Sequence, residues 1–87
     1  MARVLFARAA RAQVAGLDIR VAEAVLDSVT LLEADPETGH RLRGKLEGLW
    51  SLRLGTYRLI YEIRERGKTV RVVAVLHRAI AYRSDPR

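Results

Sequence analysis

The chain has 87 residues, 49% of them hydrophobic, a formal net charge of +6 and no cysteine. That length supports one small domain spanning 1–87, with a modest core and a surface site instead of an enclosed pocket. Disulfides, thiolate zinc sites and a cysteine nucleophile are excluded, and the two histidines, His40 and His77, lie too far apart in sequence for a short metal-binding motif.

Ala2 to Phe6 is short, apolar and interrupted by one Arg, and reads as a first strand with Val4 and Phe6 facing inward. Ala7 to Ala15 is alanine-rich and predicts a helix that stops at Gly16. Asp18 is a candidate N-cap for a second helix, with Ile19, Ala22, Val25, Leu26, Val29 and Leu32 on its inner face and Arg20, Glu23, Asp27 and Thr30 left to solvent. Pro36 should end it, because the residue before proline is biased away from helix. Asp35 to Gly48 has turn residues, three glycines and no sustained periodicity, and reads as a loop with at most one helical turn. The Val4–Ala7 run is much too short for a signal-peptide core or a membrane span, so the expected location is the cytoplasm, with no membrane contact.

Leu49 to Ile63 carries the strongest local signal. Two runs that alternate apolar and polar flank Gly55-Thr56, and a glycine at the first position of a two-residue loop supplies the positive φ of a type II′ hairpin turn. The implied register pairs Leu54 with Tyr57, Arg53 with Arg58, Leu52 with Leu59, Ser51 with Ile60 and Trp50 with Tyr61. Trp50, Leu52, Leu54, Tyr57, Leu59, Tyr61 and Ile63 then share a core face. Arg53 stands directly opposite Arg58 on the other face, and such like-charge pairs destabilise a sheet by up to about 1 kcal/mol. An anionic ligand would offset that cost.

A second hairpin is expected at Arg66-Gly67. Matching Glu62 with Arg71 and Tyr61 with Val72 sets its register and carries on to place Arg58 opposite Val75. Val70, Val72, Ala74 and Leu76 continue the core face, while Arg71, Val73, Val75 and His77 fall on the open face, with His77 near Arg53 and Arg58. Ala81 to Arg83 reads as a short last strand. The order of elements makes an α+β fold, with an N-terminal strand and a two-helix hairpin packed on one face of an antiparallel sheet, and the other face concave and basic.

Charge supports the basic face. Residues 1–40 hold four Arg against six Asp/Glu, whereas 41–87 hold twelve Arg/Lys against four Asp/Glu. A compositional preference for arginine would not separate the halves, so a phosphate-rich partner is favoured for the C-terminal one. No phosphate-binding glycine loop is present, and no serine has plausible triad partners. What remains is Lys45, Arg53, Arg58, His77, Arg78, Tyr82 and Arg83. Planar guanidinium groups at Arg53 and Arg58 suit bidentate contacts to phosphate, although surface arginines also cover sheets with their aliphatic stems. Lys45 lies in the loop, where phosphate contact and plain solvation fit equally. His77 beside Arg78 could donate a proton to a leaving oxygen or be structural, and Tyr82 could stack on a nucleobase or plug the sheet edge.

The segment Gly44 to Glu62, GKLEGLWSLRLGTYRLIYE, followed by His77-Arg78 and Tyr82-Arg83, resembles the RelE/ParE superfamily of bacterial toxins over essentially the whole chain. The Gly55–Tyr61 hairpin and the His-Arg, Tyr-Arg ending are its most specific parts. The resemblance implies a compact α+β fold and a cognate antitoxin with an acidic segment over the basic sheet face. RelE-like members cleave mRNA in the ribosomal A site, without a cofactor or metal, and ParE-like members poison DNA gyrase. Carried onto this chain, the resemblance gives Arg58 and Arg53 phosphate binding and transition-state stabilisation, Arg78 a role near the leaving group, and Tyr82 stacking on the substrate base. Ser51 stands where some ribosome-dependent members have a lysine, and Arg78 and Tyr82 are closer together than in some. The cationic set leans toward a RelE-like mRNA interferase. The alternatives are a gyrase inhibitor without nuclease activity and a degenerate toxin that retains only antitoxin binding.

Overall fold

The computed structural model describes residues 1–87. Strand β1 (Arg3–Phe6) leads into helices α1 (Arg8–Ala15) and α2 (Ile19–Ala34), followed by β2 (His40–Arg41), β3 (Trp50–Leu54), β4 (Tyr57–Arg64) and β5 (Thr69–His77). The five strands form one sheet in the order β1-β5-β4-β3-β2. It is antiparallel except at β1, which joins β5 in parallel because the helical hairpin between them and the rest of the chain returns β1 to the edge. No helix is long and apolar enough to cross a membrane.

Local chemistry accounts for the element ends. The Asp18 side chain accepts from the Arg20 amide at 2.9 Å and caps α2, which stops at Ala34, two residues before Pro36. Gly55 has a φ of +61°, and Thr56 has no positive φ, as a type II′ turn requires. The β3–β4 register matches the one expected at all five pairs, including Arg53 opposite Arg58.

The main core lies between the helices and the sheet, with Ala10, Val25, Leu32, Leu59, Tyr61, Val70, Val72 and Val75 buried in it. Trp50, Leu52, Leu54, Tyr57 and Ile63 pack against this cluster, as the alternation predicts. The inner stripe of α2 differs from the expected one. Val25, Ser28 and Leu32 are buried, whereas Ile19 and Leu26 remain 72% and 67% exposed. Leu26 is one position, about 100° of helix rotation, from Val25 and so falls beside the buried stripe. With Leu5, Phe6 and Val14 it lines a shallow apolar groove of about 350 Å³. Ser28 is tolerated inside because its hydroxyl donates to the Val25 carbonyl at 2.7 Å.

Three further expectations are corrected. The second hairpin begins in the expected register, with Ile63, Glu62 and Tyr61 opposite Val70, Arg71 and Val72, but a bulge at Val73 then shifts it, so Arg58 faces Leu76 and not Val75. Val75 therefore belongs to the helix-side core, and Val73, Ala74 and Leu76 to the opposite face. Asp35–Gly48 is more structured than a loop. It holds 3₁₀ turns at Pro36–Thr38 and Gly44–Leu46 and the short strand β2, whose His40 and Arg41 pair with Ser51 and Trp50. Ala81–Arg83 forms turns and no strand.

Tyr61 fastens the β2 segment to the core. Its hydroxyl donates to the Pro36 carbonyl at 2.7 Å and accepts from the Gly39 amide at 3.1 Å. Burial raises its phenol above the ordinary 10.0, outweighing the Gly39 amide that favours the phenolate. Tyr61→Phe should therefore lower stability at neutral pH by about 1–3 kcal/mol, measured as the urea midpoint. The unfolded chain ionises this phenol first as pH rises, so the contribution of Tyr61 is complete below 10.0 and is lost as pH climbs toward the raised folded value. The difference between the two proteins should narrow above that pH.

Candidate functional site

The sheet face away from the helices carries Ser51, Arg53, Arg58, Ile60, Glu62, Arg71, Ala74 and Leu76 by strand alternation. It is not the open basic surface expected from the sequence. Leu46, Leu49, Ile60, Val73 and Ala74 form a second buried cluster there, with Leu42 and Leu76 packed against it. The bulge at Val73 turns Ala74 and Leu76 to this face beside Ile60 and Val73, and the segment between β2 and β3 folds Leu46 and Leu49 over them.

The chain beyond β5 returns across the same face. The Arg78 amide donates to the Thr56 carbonyl at 2.7 Å, which holds the residue against the tip of the β3–β4 hairpin. Ala81 is 1% exposed, and the Tyr82 hydroxyl lies 2.8 Å from Ser51 Oγ. At the far end Arg87 pairs with Asp85 at 2.8 Å and approaches Gly48, where an added Cβ would lie 2.9 Å from Arg87 Nη1. That pairing holds the Asp85 carboxyl below the usual carboxylate range.

Ion pairing sorts the cations. Glu62 is shared by Arg71 at 3.2 Å and Arg64 at 2.8 Å, so the one acid on this face is neutralised, as the expected cross-strand match implies. Arg53, Arg58, Arg78, Arg83 and Lys45 enter no ion pair. Arg53 is exposed, and Arg58 is half-buried because its Nη1 donates to the carbonyls of Gly55 at 3.1 Å and Tyr57 at 2.9 Å. Those bonds fold the guanidinium over the turn. Lys45 is exposed in the Gly44–Leu46 turn, and Arg83 follows the turn at Ile80 with its amide donating to the Ile80 carbonyl at 3.2 Å.

His77 does not join this set. The register pairs it with Tyr57 on the helix side, where the rings meet edge to face with centroids 5.5 Å apart, and its Nδ1 accepts from the Ala79 amide at 3.2 Å. The bulge explains the change, because one extra residue in β5 reverses the facing of every position after it. The structure thus brings together Arg53, Arg58, the Arg78 backbone and Tyr82, and separates His77 from them by the thickness of the sheet. Sequence reasoning missed Ser51 as the contact of Tyr82, although its alternation with Arg53 already put it on this face. It also missed Gln13, whose Oε1 accepts from the Val75 amide at 2.8 Å and ties α1 to β5 beyond the end of β1.

Unpaired arginines at a hairpin tip, next to a tyrosine with an exposed ring, form an arrangement that can hold a phosphate and stack on an adjoining base. Residues 4–82 match the model of the family described as the ParE toxin of type II toxin-antitoxin system, parDE. The chain is 39% identical over 82 residues to Toxin RelG of Mycobacterium tuberculosis, across 92% of this chain and 94% of that protein. Among solved structures, it superposes on the toxin-antitoxin complex RelBE2 of M. tuberculosis with a TM-score of 0.80 and 36% identity, covering 87% of this chain and 96% of the matched one. The isolated RelE toxin of E. coli, at 21% identity and a TM-score of 0.76 over 88% of this chain and 84% of its own, shares the fold. The chain belongs to the ParE toxin family of type II toxin–antitoxin systems, within the RelE/ParE superfamily.

Proposed function

We propose that this toxin is a ribosome-dependent mRNA endonuclease that inhibits translation. The observation that carries the reading is the forced opposition of Arg53 and Arg58 at the hairpin tip, free of carboxylates, with Arg78 and Tyr82 folded back beside it. In the proposed reaction an RNA 2′-hydroxyl gives up its proton to solvent and attacks the adjacent phosphorus, a 2′,3′-cyclic phosphate forms as the bond to the 5′-oxygen breaks, and the departing oxygen takes up a proton to leave as a hydroxyl. Metal ions have no part in it. Arg58 and Arg53 stabilise charge that grows on the phosphate oxygens, the kind of preorganised electrostatic contribution that is usually largest in such sites. Arg78 is better placed than His77 to act near the leaving oxygen, since it lies against the hairpin tip. Tyr82 stacks on the base, and Lys45 and Arg83 contact the flanking backbone.

The RelBE2 toxin–antitoxin complex supports a cognate antitoxin for this chain. An acidic antitoxin segment would match the unpaired arginines and would be steered to them electrostatically. The apolar residues Ile60 and Val73 of this face are buried and Val75 lies on the helix side, so none of the three is open to it. A second reading, inhibition of DNA gyrase without nuclease activity, is supported by the ParE description of the matching family, while the fold does not discriminate the two.

Programmed ribosomes incubated with the protein should yield mRNA cut in the A site, mapped by primer extension. Intact mRNA together with trapped gyrase cleavage complexes would reverse the ranking. Arg58→Ala should slow cleavage by about a hundredfold or more, the scale seen when one transition-state donor is removed.

Arg53→Thr should leave the urea midpoint unchanged or raise stability by up to about 1 kcal/mol, because it relieves a like-charge cross-strand pair. Loss of stability would make that arginine a structural residue.

A further inference from the structure

We infer that Ser51 is a positioning residue for Tyr82: the bond between their hydroxyls holds the phenol ring on the sheet face that carries Arg53 and Arg58. The catalytic consequence rests on the mRNA-cleavage reading above, whereas the latch itself does not.

The two ends of this bond differ in their surroundings. Ser51 is 4% exposed in the middle of β3, paired with His40 of β2 on one side and Ile60 of β4 on the other, so its hydroxyl is a fixed point. Tyr82 is 46% exposed although its hydroxyl is engaged at 2.8 Å. A tyrosine that plugged the sheet edge would bury its ring. Here the residue is held from two sides, by its buried neighbour Ala81 in the returning chain and by its hydroxyl on Ser51, while nearly half of its surface stays open to solvent. Immobilising a stacking group in advance removes the entropy that ordering it would cost when substrate arrives.

Placement completes the inference. Ser51 and Arg53 are two residues apart on one face of β3, a separation of about 7 Å, and Arg58 is the direct partner of Arg53. The latch therefore sets the ring beside the two guanidinium groups, at a spacing that suits one base and its neighbouring phosphate. A lysine at position 51 would add a charge there and could only donate to the phenol oxygen, whereas the serine hydroxyl can donate or accept. Serine exchanges a cation for a neutral anchor.

The test uses Ser51→Ala, Tyr82→Phe and the double variant, with two readouts. Amide hydrogen exchange of residues 79–87 in the isolated protein should rise in all three variants, since the turn amides of Ile80 and Arg83 lose the anchor that keeps them in place. Single-turnover cleavage on programmed ribosomes should fall about three- to tenfold in rate for each single variant, the scale of one neutral hydrogen bond, with little change in the ribosome concentration giving half-maximal rate. The double variant should be no slower than the slower single one, because both changes remove the same bond. Rate losses that multiply in the double variant would show that the two hydroxyls act separately and would overturn the inference. Unchanged exchange at 79–87 in Ser51→Ala would overturn it as well. Should Ser51→Ala unfold, Tyr82→Phe breaks the bond from its exposed side and decides the matter alone. If the unmodified protein cuts no mRNA while exchange responds as stated, the cleavage reading falls and the catalytic role of Ser51 falls with it, leaving the latch.

Discussion

The pairing of β4 with β5, and the single bulge within it, is the constraint from which both faces of the sheet follow. Up to Val72 the two strands alternate in step, and Tyr61, Val72, Ile63 and Val70 all point to the helices. Val73 is then inserted, and the chain resumes with Ala74 opposite Ile60 and Val75 opposite Leu59. An uninterrupted strand would have turned Ala74 and Leu76 toward the helices. The extra residue sends them the other way, to join Val73 in a cluster with Leu46, Leu49 and Ile60. A face with that much apolar area needs a cover, and the two segments that supply it, before β3 and after β5, also carry Lys45, Tyr82 and Arg83. The site therefore forms at the rim of a second small core.

Electrostatics at this rim is set by which cations find carboxylates and which do not. Arg64 and Arg71 converge on Glu62, and Arg87 folds onto Asp85 two residues away. These exposed or half-exposed pairs contribute little stability each, but their two carboxylates cancel two of the three arginine charges in the field offered to a ligand. Arg53 and Arg58 are left facing one another, with Arg58 using the carbonyls at its own turn as neutral acceptors. Such a contact orients a guanidinium without neutralising it, and a phosphate can still approach its remaining donors.

Legibility in the sequence varied with the physical signal each element carries. The β3–β4 hairpin was readable because a glycine marks its turn and polar residues alternate with apolar ones at every position but Ile60, so a slip of one residue would have turned Arg53 and Arg58 into the core. The bulge was not readable. Residues 72–76 are Val, Val, Ala, Val and Leu, all apolar, so either facing satisfies the pattern and nothing marks the inserted residue. His77 inherited the wrong face from that ambiguity. Helix α2 was located by its Asp18 cap and by Pro36, but apolar residues at Ile19, Leu26 and Leu31 widen its hydrophobic arc beyond what the sheet covers, and spacing could not say which part is buried. The two-residue β2 gives no periodic signal at all. It is held by Tyr61 and by the stacking of Arg41 on Trp50, with the guanidinium 5.4 Å from the ring centroid, contacts that exist only once the chain is folded.

The candidate site gathers pieces from distant parts of the chain, and each piece is tied to the β3–β4 hairpin. Arg53 and Arg58 sit within it, Arg78 is bound to the carbonyl of Thr56 in its turn, and Tyr82 to the hydroxyl of Ser51 in its first strand. At the hairpin end Leu54 and Tyr57 are only partly buried against the main cluster. Local opening of that end would scatter all four residues while the helix-side core stayed intact. A partner that binds the closed hairpin tip would favour that closed form by mass action, and any ordering it had to impose on the tip would be subtracted from its affinity.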